Sequence, residues 1–109
     1  MMTGYKKDQG KLRWDLLPPG ALQELVKVYG FGLDKGYPAR NWEKGMEWSR
    51  PFAALMRHAW AFWGGESIDP ESGLPHMAHA AWNALALVEY LLQGTGIDDR
   101  PHQGGNEYA

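Results

Sequence analysis

The sequence contains no cysteine. Disulfides and cysteine-ligated zinc sites are therefore excluded, and the chain fits a reducing compartment such as the cytoplasm. No run approaches the roughly 18 apolar residues that a membrane span needs. Met1 to Arg13 is polar and has no apolar signal-peptide centre. Neither sign of charge dominates: the formal net charge is -2, which weighs against a general nucleic-acid or membrane-surface binder. No internal repeat of solenoid length occurs, and no alternating stretch is long enough to read as a strand. Walker and dinucleotide glycine motifs are missing, as is Gly-x-Ser-x-Gly. With no cysteine nucleophile either, covalent catalysis is disfavoured, and metal-activated water is the natural alternative for a hydrolase.

What is present is a chain of 109 residues, 44% hydrophobic, which fits one small domain. It divides into a basic leader over 1–18, a helical core over 19–93 and a loose, Gly- and Asp-rich tail over 94–109. Paired prolines open a first helix, predicted from about Pro19 to Lys35, with Leu22, Leu25, Val26 and Tyr29 at helical spacing. A second is predicted from Ser49, a favourable N-cap, to Trp63, with Phe52, Leu55, Met56, Ala59 and Trp63 on its apolar face. A third runs from His76 to Gln93 and stops at Gly94. It is apolar nearly all round, which implies burial against another subunit as well as its own chain. The expected fold is all-α: a small bundle of about three main helices, completed by homo-oligomerisation. Six tryptophans suit a small core or a subunit interface, with base stacking as the sharper alternative.

Chemistry concentrates on the third helix and the loop before it. His76, His79, Ala80 and Asn83 share one face, a narrow polar stripe on a greasy helix. Polar groups at such a position need partners. His58, His76 and His79 fall close together in sequence, with Glu66, Asp69 and Glu71 between them. Carboxylates suit magnesium or manganese; imidazoles favour zinc, iron or manganese. Asp69 and Glu71 could equally cap a turn before the third helix. Lys7, Lys11 and Arg13 could close over a polyphosphate or form a solvated tail. Asn41 and Trp42 could read and stack on a base, or the indole could pack under its own loop. Arg57 is either a phosphate ligand or a surface charge.

These blocks resemble one family. Lys7-Asp8-Gln9-Gly10-Lys11-Leu12-Arg13-Trp14-Asp15-Leu16-Leu17-Pro18, Asn41-Trp42-Glu43-Lys44-Gly45, Arg57-His58 with Gly65-Glu66, Asp69-Pro70-Glu71-Ser72-Gly73, and His76 with His79 to Asn83 look like the phage-type dATP/dGTP diphosphohydrolases. The resemblance implies hydrolysis of a purine deoxynucleoside triphosphate to the monophosphate and pyrophosphate. The family is similar to the all-α MazG-type pyrophosphohydrolases, helical bundles that assemble as dimers or tetramers and use Mg2+ or Mn2+. Their Glu-x-x-Glu and Glu-x-x-Asp pairs are matched here only by Glu66-x-x-Asp69, and His76 and His79 stand where acids are usual. On this reading Glu66, Asp69, His76 and His79 are the expected metal ligands. Glu71 or His58 would orient or deprotonate the attacking water, with Glu66 and Asp69 also catalytic. Lys7, Lys11, Arg13 and Arg57 would hold phosphates, Asn41 and Trp42 would sit near the base, and Asp8 and Asn83 join the substrate-binding set. The expected partner is the nucleotide, with no polymeric nucleic acid and no membrane, in a homodimer or homotetramer in the cytoplasm, the host's if phage-encoded. The alternative is a non-enzymatic helical homo-oligomer whose histidine cluster is structural.

Overall fold

The computed structural model describes residues 3–102. Three helices make the fold: α1 (Pro19–Asp34), α2 (Ser49–Trp63) and α3 (His76–Gln93). Short 3-10 turns lie at Trp14–Leu16 and Asn41–Lys44, and no strand occurs among the described residues. The protein is therefore all-α, as the sequence predicts. Pro18 is extended and Pro19 starts α1, because proline's fixed φ suits a first helical turn. Gly94 ends α3 in the left-handed region, where a side chain would be disfavoured. No helix among the described residues is long and apolar enough to cross a membrane.

The central element is α3. Both α1 and α2 pack on it, and neither packs on the other. The face of α3 that meets them carries His76, Ala78, His79, Ala80, Asn83, Ala86 and Tyr90, all buried. The polar stripe of the sequence is thus the interior face. Alanines between the polar groups let the neighbouring helices approach closely. The leucine-rich side of the same helix looks outward, with Leu91 and Leu92 63% and 72% exposed. On α2 the packing face differs from the expected one. Of the expected face, Phe52, Met56 and Trp63 are exposed, Leu55 and Ala59 are half-buried, and half-buried His58 joins them. A histidine with partners fits the polar face of α3 better than a row of hydrocarbon does.

Two further differences concern ends. Ser49 is the first residue of α2 and does not cap it; Trp48 holds the cap position without a side-chain bond. The cap comes from Asp99, whose Oδ1 accepts the Ser49 N–H at 2.9 Å while Oδ2 accepts the Ser49 hydroxyl. The stretch after Gly94, expected to be loose, is held as far as Arg100. The Trp48 N–H donates to the Ile97 carbonyl at 2.9 Å, the Ile97 N–H to the Met46 carbonyl at 3.1 Å, and the Trp48 indole to the Thr95 carbonyl at 2.9 Å. Gly96 makes this fit possible: its φ is +83°, and a Cβ there would lie 2.5 Å from the Met46 oxygen.

Candidate functional site

The loop between α2 and α3 folds back on itself. The Asp69 N–H donates to the Leu74 carbonyl at 2.8 Å, the Gly73 N–H to the Asp69 carbonyl at 2.8 Å, and the His76 N–H to the Ser67 carbonyl at 3.0 Å. Asp69 is buried. Its Oδ1 accepts the Glu71 N–H at 3.3 Å and its Oδ2 accepts the Ser72 hydroxyl at 2.9 Å. The same carboxylate lies 3.4 Å from His79 Nε2. Asp69 therefore shapes the turn, as one of its two sequence readings expects, and also faces His79.

Three imidazoles converge where α2 meets the start of α3. His58 stacks on His79 with centroids 4.6 Å apart and an 11° tilt. His58 Nδ1 and His76 Nδ1 are 2.9 Å apart. His76 Nε2 lies 2.7 Å from Glu66 Oε1, and His79 Nε2 lies 2.7 Å from Ser72 Oγ. With one proton on each ring, these contacts assign the tautomers. The Glu66 carboxylate only accepts, so His76 Nε2 donates to it. His76 Nδ1 then accepts from His58 Nδ1, which leaves His58 Nε2 with the lone pair. Because the Ser72 hydroxyl donates to Asp69, its oxygen accepts from His79 Nε2 and from the Leu74 N–H at 3.2 Å. From α1, Phe31 lays its edge on His79 at 5.9 Å. Lys35 lies 5.4 Å above the Phe31 ring and 3.8 Å from exposed Glu71.

Burial lowers the pKa of His58 below its ordinary 6.5, and the neighbouring imidazoles His79 and His76 lower it further. Burial also lowers that of His79, against the pull of Asp69. For Asp69, burial acts upward, but the Ser72 hydroxyl, the Glu71 N–H and the nearby imidazoles outweigh it and hold the carboxyl low. At neutral pH the site therefore holds an ionised Asp69 beside neutral His58 and His79. A neutral imidazole with a free nitrogen can accept a proton from water.

The residues expected to bind a metal are brought together, but not around a common point. Among the described residues no three His, Asp or Glu side chains are arranged to hold an ion. The imidazole nitrogens bond instead to one another, to Glu66 and to Ser72. The cluster as it stands does not fit a resident divalent ion. Glu66 and Glu71 are its exposed carboxylates, with side chains 56% and 68% exposed. Asn83, expected to meet substrate, is buried one turn along, and its amide donates to the His79 carbonyl at 2.9 Å. Arg57 is exposed beside His58.

Asn41 and Trp42 belong to a separate feature. Trp42 packs edge-on against Tyr29 at 6.3 Å and Trp82 at 5.9 Å, and Tyr90 donates its hydroxyl to the Trp42 carbonyl. Asn41, Trp42 and Trp82 line, with the C-terminal half of α1, an open cleft of about 990 Å³, with Arg40, Lys44 and Arg50 among its lining residues. Lys7, Asp8, Lys11 and Arg13 lie on the exposed leader, where Arg13 pairs with Asp15 at 2.8 Å. Within one protomer the 3-10 turn of the leader touches no helix. Sequence reasoning missed Ser72 and Phe31. The Asp69-x-x-Ser72 spacing of a side-chain-closed turn was the available signal for the first; no local pattern marks the second.

Residues 1–100 match the model of the family described as dATP/dGTP diphosphohydrolase, N-terminal. The chain belongs to that family. Among relatives of the diphosphohydrolase N-terminal family is a dATP/dGTP diphosphohydrolase of Salmonella phage PMBT28, 36% identical over 98 residues. The match covers 90% of this chain and 33% of that relative, so the chain spans about a third of the relative's length. No solved structure matches this member of the diphosphohydrolase N-terminal family.

Proposed function

We propose that this protein acts in the hydrolysis of a purine deoxynucleoside triphosphate, dATP or dGTP, to the monophosphate and pyrophosphate, in the cytoplasm. The observation that carries the proposal is the junction of α2, α3 and their loop. It gathers His58, His76 and His79 with Glu66 and Asp69 in a chain of the diphosphohydrolase N-terminal family. His58 Nε2 is the proton acceptor for the attacking water. Glu66 orients His76, which in turn holds His58 in the required tautomer. Asp69 and Ser72 hold His79 against the stacked face of His58. Asn41 and Trp42 place the base, in the aromatic cleft, and Lys7, Lys11, Arg13 and Arg57 hold phosphate oxygens.

Mg2+ or Mn2+ is the proposed ion, entering as the counter-ion of the triphosphate. The exposed carboxylates of Glu66 and Glu71 are the groups that would meet it. When bound, it supplies charge neutralisation and a more acidic water.

The test is incubation of the pure protein with each deoxynucleoside triphosphate and either ion, followed by chromatography. A purine monophosphate and pyrophosphate are expected, and chelation should abolish their formation. His58→Gln should lower kcat about 100-fold or more with little change in KM, as loss of a general base does.

The closed bonding within the cluster favours one second reading, a structural histidine cluster in a non-enzymatic homo-oligomer. No product from any nucleotide with either ion, together with a lowered Tm for His76→Ala, would select it.

A further inference from the structure

We propose that Lys35 is a phosphate-binding residue of the histidine site and that Glu71 is the partner it leaves when the triphosphate arrives. The site needs such a cation. Its carboxylates are Glu66, Asp69 and Glu71, and at neutral pH its stacked imidazoles, His58 and His79, carry no charge. A polyphosphate brought to that cluster sets negative charge against negative charge, which is unfavourable unless cations stand close by. Lys7, Lys11 and Arg13 belong to the leader, whose 3-10 turn touches no helix. Two cations are instead built onto the helices around the cluster. Arg57 on α2 is the residue before His58, and Lys35 holds the C-cap of α1, on the His79 side. Each adds its charge to the burial that keeps the adjacent imidazole neutral. Sequence reading points to Arg57; the fold adds Lys35.

Local structure explains how Lys35 is aimed. Its N–H donates to the Phe31 carbonyl at 3.0 Å and closes the helix. Residues four apart on a helix share a face, so both side chains leave α1 on the same side. Phe31 lays its edge on His79, and the Lys35 ammonium rests 5.4 Å from the Phe31 ring centre. The ring thus carries the ammonium toward the cluster. Its acidic neighbour is Glu71, at 3.8 Å, and the two side chains are 43% and 68% exposed. A cation at a helix C-terminus is favourable in itself. That end effect accounts for a lysine there, but not for one held between the aromatic ring on His79 and the carboxylate loop.

The contact with Glu71 is replaceable. An ion pair so long and so exposed holds weakly. A triphosphate offers the ammonium several charged oxygens in place of one distant carboxylate oxygen, and a lysine meets them as a point charge. Lys35 from α1 and Arg57 from α2 then hold phosphate at the cluster. That the phosphate belongs to a nucleotide rests on the hydrolase reading; that Lys35 binds phosphate does not.

Titration calorimetry of the full chain with pyrophosphate and with dATP tests the assignment. A chelator is present throughout, so that no divalent ion substitutes for the protein's own cations. Lys35→Gln keeps most of the stem over Phe31 and removes the charge. It should weaken both titrants about 10-fold or more, and Lys35→Arg should restore them to within about three-fold. Lys27→Gln, on the same helix and paired with Glu24, should change neither. Glu71→Gln should tighten both about two- to five-fold, because it releases the ammonium and removes a like charge. No binding by the wild-type protein, wild-type affinity in Lys35→Gln, or an equal loss in Lys27→Gln overturns the proposal. So does a loss confined to pyrophosphate, or a Glu71→Gln variant that binds no more tightly than wild type. A lowered Tm with unchanged affinity would leave Lys35 as a helix-end cation and overturn it likewise. If the wild-type protein turns over no nucleotide yet binds both titrants through Lys35, the hydrolase reading falls and the phosphate site stands.

Discussion

Ser72 joins the loop to α3 through a single oxygen. It donates to Asp69, accepts from the Leu74 N–H and meets His79 at 2.7 Å. Ser72→Ala leaves those three groups without this partner, and the expected loss is about 1–3 kcal/mol in urea unfolding. A variant as stable as wild type would show that the bridge contributes nothing net. The histidines give a pH dependence whose sign is fixed. In the folded protein His58 and His79 titrate below their ordinary 6.5, so the unfolded chain binds more protons in that window. Their contribution is complete above about pH 6.5 and is lost as the pH falls from there through the folded values. Asp69, also lowered, acts in the same direction at more acid pH, with its contribution lost as the pH falls below its ordinary 3.8. Tm should therefore fall on acidification from neutrality in two stages. A flat profile between neutrality and the ordinary carboxylate range would contradict the buried, neutral assignment of the two rings.

At the scale of elements, α2 depends on a segment far from it in sequence. Asp99 caps its first turn, and Gly96 lets the chain lie against Met46 and Trp48. Gly96→Ala adds a Cβ 2.5 Å from the Met46 oxygen at a φ of +83°. It should destabilise the protein by more than about 1 kcal/mol, read by thermal unfolding. Asp99→Ala should leave the fold intact and speed amide exchange selectively in the first turn of α2. Uniform exchange along α2 would mean that the cap is replaced by water at no cost. The face of α2 is the instructive misreading. Periodicity finds an apolar stripe through Phe52, Leu55, Met56, Ala59 and Trp63; Leu55 and Ala59 are half-buried, but Phe52, Met56 and Trp63 are exposed. Spacing shows that a stripe exists; it does not show which surface covers it.

The same distinction governs the whole molecule. Two helices packed on a central α3 leave apolar side chains exposed on α2, on α3 and along the leader. If a second copy covers them, folding and association are coupled, and Tm should rise with protein concentration. A Tm independent of concentration over about a hundred-fold range would mean that the protomer is stable alone.

The helices themselves were legible in the sequence, because proline starts, glycine stops and 3.6-residue spacing are local signals. His58, Glu66, Asp69, His76 and His79 were legible as a group, since polar side chains on a greasy helix require partners. Tertiary structure decided which groups partner which. The imidazoles bond to one another, to Glu66 and to Ser72 rather than pointing at a shared centre. It also decided that the polar stripe faces inward and that the segment after Gly94 is held against Met46, Trp48 and the first residue of α2. Those outcomes depend on distances between segments remote along the chain, such as the pairing of Ser49 with Asp99. Local spacing carries no term for such distances, so only the packed chain could set them.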